Sequence, residues 1–183
     1  MTTLAAKKTA LVVVDAQVGI LGSAWDSKRI AGNIETLVSK ARSSGTPVFW
    51  AQHSDQELKY GSDAWRLLPN FKVEPTDHVI HKKYNSSFAE TDLEQKLRDV
   101  GAKRLVLAGA LTNWCIRATA YSAIERGYDL AVASDGHSTE NLESSPGKVI
   151  AANDIIDEFN SVMRWLSVPK VRIEVKSTGE VTF

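Results

Sequence analysis

Short runs rich in β-branched residues alternate along this sequence with longer stretches whose apolar residues recur at helical spacing. The predicted strands are apolar on both faces, which is typical of parallel strands covered by helices on both sides. The alternation predicts an α/β fold with three layers, α/β/α, and a six-stranded, mainly parallel sheet with helices on both faces. The predicted strands are Thr9–Val14, Pro47–Gln52, Asp77–Lys82, Arg104–Ala108, Tyr128–Ala133 and Val171–Val175.

The stretches between these strands predict helices with recognisable ends. One helix begins at Asp26 or Ser27 and ends at Gly45, and another opens with the capping-box pattern of residues 91–94. A helix from about Asn113 to Arg126 follows the fourth strand. The last helix is predicted to begin at Ser145-Pro146, because proline is favoured in a first helical turn. Residues 176–183 are predicted to form a turn and a short edge segment.

Size and composition favour one domain over residues 1–183. The 22 basic and 22 acidic residues balance and form no charged stripe, so we expect neither nucleic acid nor a membrane surface as a partner. The longest apolar runs are too short to span a membrane, and the N-terminus leads directly into a predicted strand. A single cysteine cannot form an internal disulfide, so a cytoplasmic location is expected.

Three chemically active side chains follow the predicted strands. Asp15 ends the first strand, Lys82 ends the third, and Cys115 lies just after the fourth at a predicted helix start. In an open parallel sheet, ligands bind outside the carboxyl ends of the strands, so these residues share one edge. Taken singly, each has an ordinary explanation: a capping carboxylate, a solvated lysine, and a small buried thiol.

The combination of motifs around these residues resembles the isochorismatase-like cysteine hydrolases. The stretches LVVVDAQ, HKKYNSSFAETDLEQKL and LVLAGALTNWCIRATAYSAIERGYDLAVASDGHST carry the resemblance over nearly the whole sequence. They contain D-x-Q, K-x-x-x-S-x-F and G-x-x-T-x-x-C in the family's order. The family includes nicotinamidases and N-carbamoylsarcosine amidases, and the GSDAW and DGHST stretches are similar to the streptothricin hydrolase branch.

The resemblance implies a catalytic triad of Asp15, Lys82 and Cys115. Cys115 would attack a carbon–nitrogen bond of a small molecule and form a covalent acyl-enzyme, with Asp15 as general acid and base and Lys82 stabilising the thiolate. The backbone N–H groups of Leu111 and Cys115 would form an oxyanion hole, and the Ala110–Leu111 peptide would be cis. From the predicted position at a helix start, we expect the pKa of Cys115 to be lowered.

Other residues around these motifs are candidates for substrate binding. Gln17, Trp25, Tyr84 and Thr112 could line the pocket, although Thr112 could equally cap the helix or brace Asp15. The resemblance also implies a homodimer or homotetramer. We expect no metal ion or other cofactor, because the sequence offers His53 followed by Asp55 where nicotinamidases carry Asp-x-His.

Three alternatives remain open at this point. The family also contains enzymes that cleave the vinyl ether of isochorismate, a reaction that does not require the thiol. A metal-assisted nicotinamidase would use His53 as a ligand rather than as a loop residue. A non-enzymatic binding protein with a vestigial triad is the third.

Overall fold

The apolar runs of the sequence form a six-stranded sheet in which all paired strands are parallel. The structure, a computed structural model, describes residues 8–183. The strand order is β3-β2-β1-β4-β5-β8. These strands are β1 (Thr9–Val14), β2 (Val48–His53), β3 (His78–Lys82), β4 (Arg104–Ala110), β5 (Asp129–Ser138) and β8 (Ile173–Lys176).

Helices cover both faces of the sheet, which confirms the predicted three-layer fold. Alternate residues of β1 point to opposite layers. Leu11 and Val13 pack on the side of α1 (Ser27–Ser43), whereas Val12 and Val14 pack on the side of the other helices. Those helices are α2 (Leu93–Asp99), α3 (Arg117–Glu125) and α4 (Ala152–Trp165). Within residues 8–183, no helix is both long and apolar enough to cross a membrane.

The predicted helix start at Ser145-Pro146 is wrong. Strands β6 (Leu142–Ser145) and β7 (Lys148–Ile150) instead form an antiparallel hairpin, and Pro146 and Gly147 occupy its turn. Gly147 has a φ of 75°, a left-handed conformation that glycine adopts at little cost. Helix α4 begins only at Ala152, so Val149 and Ile150 lie outside it. Proline suits a first helical turn and a β-turn alike, and here the following glycine decides for the turn.

Three other predicted boundaries shift. The N-cap position of α2 is Asp92 without a side-chain cap, so the capping box of residues 91–94 does not form as predicted. Strand β5 continues beyond Ala133 to Ser138, and this extension carries His137. The predicted edge segment after β8 is a turn, after which Val181 is buried on the α1 side of the sheet.

Candidate active site

The topology of the sheet brings Asp15, Lys82 and Cys115 to one edge. Strands β1 and β4 are neighbours at the centre of the sheet, where the order of the strands reverses. Asp15 follows β1 and Cys115 lies in the turn after β4, so both lie at this switch point, where α/β proteins bind ligands. Lys82 reaches the same place from the end of β3, two strands away.

The three side chains are in direct contact. The Nζ atom of Lys82 lies 2.8 Å from Oδ2 of Asp15 and 3.2 Å from Sγ of Cys115. Lys82 also donates a hydrogen bond to the carbonyl oxygen of Tyr84, at 3.2 Å. Asp15 and Lys82 are fully buried, and Cys115 is 8% exposed. Lysine side chains are almost never fully buried unless they are paired, and here Lys82 is paired with a carboxylate and a sulfur atom. The sequence-based alternative of a solvated surface lysine is therefore wrong.

The turn after β4 depends on a close approach between two strands. Gly109 has a φ of 124°, and a Cβ atom at this position would lie 1.9 Å from the carbonyl oxygen of Val14. Only glycine therefore allows β4 to pass the end of β1 at this distance. The Ala110–Leu111 peptide that follows is cis. Residues Thr112–Ile116 then form a π-helical turn, which contains Cys115 and is followed directly by α3.

The expectation that the start of a helix lowers the pKa of Cys115 is wrong. Burial, and next the Asp15 carboxylate, raise the pKa of Cys115 to about 12, against an opposing effect of Lys82. Burial also raises the pKa of Asp15, although Lys82 acts in the other direction. The free site therefore holds a neutral thiol beside a carboxylate that is more basic than usual.

The side chain of Gln17 is engaged with backbone groups. Its side chain is fully buried and holds the long connection between β2 and β3. The Nε2 atom donates to the carbonyl oxygens of His53 and Trp65, at 3.0 and 2.7 Å, and Oε1 accepts the N–H of His53 at 2.8 Å. Both polar atoms of the Gln17 amide thus bind backbone groups, as a buried amide requires, and a substrate contact of Gln17 stays a prediction.

The hydroxyl group of Thr112 is also engaged within the protein. It is fully buried, and its Oγ1 lies 2.9 Å from Nδ1 of His137. On the other side of the ring, Nε2 lies 3.1 Å from Oδ1 of Asn160, whose Nδ2 donates to the carbonyl oxygen of Ser134 at 3.0 Å. The Asn160 oxygen can only accept, so His137 carries its hydrogen on Nε2 and Thr112 donates to Nδ1. Thr112 therefore neither caps the helix nor braces Asp15.

The remaining predicted pocket residues lie at the protein surface. Trp25 is 44% exposed and Tyr84 is 50% exposed, so both are available to a ligand. Asn85 was not identified from the sequence, yet its Oδ1 lies 3.9 Å from the sulfur of Cys115. Asn85 lies inside the K-x-x-x-S-x-F motif, and this position could have identified it as a candidate site residue. In that motif, Ser86 bonds to Ser122, and Phe88 is buried.

His53 ends β2, next to Lys82 in the neighbouring strand. Its Nε2 lies 3.0 Å from Oδ2 of Asp55. Among residues 8–183, no group of three or more His, Cys, Asp or Glu side chains is arranged to hold a metal ion. A cavity of about 790 Å³ lies at the opposite edge of the sheet, beside Thr9 and His78.

Comparison with known proteins decides the family. A family model described as the isochorismatase domain matches residues 9–165. This chain belongs to the isochorismatase family. The isochorismatase family protein YddQ of Bacillus subtilis (strain 168) is 33% identical to this chain over 168 residues. The match covers 85% of this chain and 91% of YddQ.

Two further proteins similar to this chain are named as hydrolases. Streptothricin hydrolase of Streptomyces noursei is 30% identical over 145 residues, which are 75% of this chain but only 57% of that protein. A cysteine hydrolase from Pseudomonas syringae pv. phaseolicola 1448A has the same fold, with a TM-score of 0.85 at 20% identity, covering 94% of this chain and 90% of the other. The family match makes this protein an isochorismatase-family hydrolase, and the likeness to the cysteine hydrolase shows that the two proteins share a fold.

Proposed function

We propose that this protein hydrolyses a carbon–nitrogen bond of a small molecule through an acyl thioester on Cys115. The observation that carries the proposal is the position of one buried ammonium group, Lys82, in contact with both a carboxylate and the only thiol of the chain. The similarity to streptothricin hydrolase supports an amide-type bond. The substrate would be an amide, a carbamoyl compound or a lactam.

In the first half of the reaction, the sulfur of Cys115 attacks the carbonyl carbon while Asp15 accepts the thiol proton. The raised pKa of Asp15 favours this transfer, because a more basic carboxylate is the better proton acceptor. The ammonium of Lys82 stabilises the negative charge that appears on sulfur. The oxyanion would bind to the N–H groups of Leu111 and Cys115, at the turn that the cis peptide and the π-helical residues form.

In the second half, the bond to nitrogen breaks as Asp15 returns its proton to the leaving nitrogen. Without this proton the leaving group would be an amide anion, which is far too basic to depart. Water then attacks the thioester while Asp15 again accepts a proton. The carboxylic acid is released, and the proton returns to the sulfur of Cys115.

The proposal is tested by an ammonia- and amine-release screen of small amides, ureido acids and lactams. The matched control is Cys115→Ala, in which release should fall to the background rate for every compound. Isochorismate belongs in the same screen, because product analysis separates vinyl-ether cleavage from amide hydrolysis. A homodimer or homotetramer also stays a proposal, which sedimentation analysis would test.

Release of ammonia or amine by the wild type and its loss in Cys115→Ala support the proposal. Equal release by both proteins would remove Cys115 from the mechanism. A requirement for an added divalent metal ion, after dialysis against EDTA, would favour the metal-assisted reaction instead.

A further inference from the structure

The contact with Asp55 favours one tautomer of the neutral His53 ring. Oδ1 of Asp55 accepts the N–H groups of Glu57 and Leu58, at 2.9 and 2.7 Å, while Oδ2 lies 3.0 Å from Nε2 of His53. The hydrogen bond from Leu58, followed by the one with His53, lowers the pKa of Asp55, so this carboxylate is ionised and can only accept. The hydrogen of a neutral His53 ring therefore lies on Nε2, and Nδ1 presents a lone pair.

That lone pair has no partner in the described part of the chain. Nδ1 of His53 is buried, and residues 8–183 supply no hydrogen bond to it. The side chain as a whole is 14% exposed. A buried acceptor without a donor is unfavourable, so a group outside the described chain is expected to donate to it.

The strand register places the His53 ring on the same face of the sheet as Lys82. His53 and Lys82 are register partners in neighbouring parallel strands, so both side chains project from the same face of the sheet. Lys82 in turn contacts Asp15. The backbone of His53 cannot drift, because Gln17 binds both its N–H and its carbonyl oxygen.

We propose that Nδ1 of His53 accepts a hydrogen bond from the N–H of the scissile nitrogen, an inference that rests on the proposed function. When Asp15 carries the proton for the leaving nitrogen, it donates that proton to the nitrogen lone pair, while its carboxyl group is also in contact with Lys82. An acceptor next to Asp15 would hold the remaining N–H and turn the nitrogen lone pair towards the proton on Asp15. The substrates are then primary or secondary amides, including lactams, and tertiary amides are excluded.

Three variants separate this contact from general damage to the site. His53→Asn keeps an acceptor close to the position of Nδ1, whereas His53→Leu removes it. Asp55→Asn keeps Oδ1 for the turn at Glu57 and Leu58 but offers an N–H to Nε2 of His53. The ring hydrogen must then move to Nδ1, which becomes a donor facing the substrate.

The probes are the primary, N-methyl and N,N-dimethyl amides of the acid whose amide the wild type cleaves fastest in the screen above. The wild type should cleave the first two and be at least about 100-fold slower in kcat/KM on the third. In His53→Leu, kcat/KM on the primary amide should fall about 10- to 100-fold, and most of the discrimination against the N,N-dimethyl amide should be lost. His53→Asn should keep the kcat/KM and the discrimination of the wild type. Asp55→Asn should lower kcat/KM on the primary amide when His53 is present, and should leave it nearly unchanged in the His53→Asn background.

A second readout does not depend on turnover. Nitrogen-15 NMR of the histidine rings, with the His53 signals assigned by their loss in His53→Asn, should show hydrogen on Nε2 and none on Nδ1. Hydrogen on Nδ1 would overturn the inference. Unchanged discrimination in His53→Leu would also overturn it, while the proposed function would stand. A wild type that cleaves no amide would overturn both.

Discussion

The ammonium of Lys82 lies 2.8 Å from the carboxylate of Asp15, and both side chains are completely buried. Such a pair is stable only while both charges are present, because each alone would be an uncompensated charge away from water. The same contact places a cation 3.2 Å from the sulfur of Cys115, where negative charge develops in the proposed reaction. The pair thus links the stability of the protein to its chemistry.

The first prediction separates these two roles. Asp15→Asn and Lys82→Met should each lower the free energy of unfolding by about 3–5 kcal/mol, because each leaves one buried charge unpaired. The double variant should recover most of this loss, since no charge then remains. Hydrolysis should fall by at least about 100-fold in Asp15→Asn and should not return in the double variant.

Chemical denaturation and the turnover rate of the four proteins provide the measurement. A double variant that is less stable than both single variants would show that the ion pair is not the cause. Recovery of hydrolysis in the double variant would exclude Asp15 as the general base.

A second prediction concerns the reactivity of the thiol. Because the pKa of Cys115 is raised to about 12, alkylation by iodoacetamide at pH 7 should be slower than that of free cysteine in solution. The rate should rise steadily as the pH is increased above 9. The Cys115→Ala variant, followed by intact mass, controls for alkylation elsewhere. Rapid labelling at pH 7 would mean that the thiolate forms in the resting protein.

The hydrogen bonds of Thr112 give a third prediction. Thr112→Val removes the donor to Nδ1 of His137 and should cost about 1–3 kcal/mol of unfolding free energy. Thr112→Ser keeps the hydroxyl and should be close to the wild type in stability and in kcat. Thr112→Val should also lower kcat, because Thr112 belongs to the π-helical turn that carries Cys115. Equal behaviour of Ser and Val at this position would contradict the role assigned to the hydroxyl.

His137 should make the stability of the protein depend on pH. Burial lowers its pKa from 6.5 to about 4, so the folded protein keeps the ring neutral while the unfolded chain takes up a proton. The contribution is present above pH 6.5 and is lost as the pH falls towards 4, by about 3 kcal/mol at most. Denaturation at pH 7 and pH 5 should show a smaller decrease in His137→Asn. An identical decrease in both proteins would assign the effect to other groups.

Gly109→Ala tests the close approach of β4 to the end of β1. A Cβ atom would lie 1.9 Å from the carbonyl oxygen of Val14, and the backbone φ of 124° is unfavourable for alanine. The two strands must separate, so we expect a loss of more than about 3 kcal/mol in unfolding free energy, together with loss of hydrolysis. Gly32→Ala is the matched control, because a Cβ at residue 32 meets nothing within 4 Å.

The sequence was sufficient to predict the sheet and the edge at which Asp15, Lys82 and Cys115 meet. Strands that are apolar on both faces have few alternatives, and the carboxyl ends of parallel strands share an edge. The pKa of Cys115 was predicted with the wrong sign, because the helix position is visible in the sequence and the depth of burial is not. The partners of Gln17 and Thr112 lie on segments distant in sequence, so only the folded chain brings them together.

The most direct test of the mechanism is to trap the acyl thioester. The wild type is mixed with an excess of the best amide from the screen, quenched in acid within the first turnovers, and analysed by intact mass and peptide mapping. The account predicts a mass increase equal to the acyl group, located on Cys115 and missing in Cys115→Ala. Turnover by Cys115→Ala at the wild-type rate, with no adduct on the wild type, would contradict it.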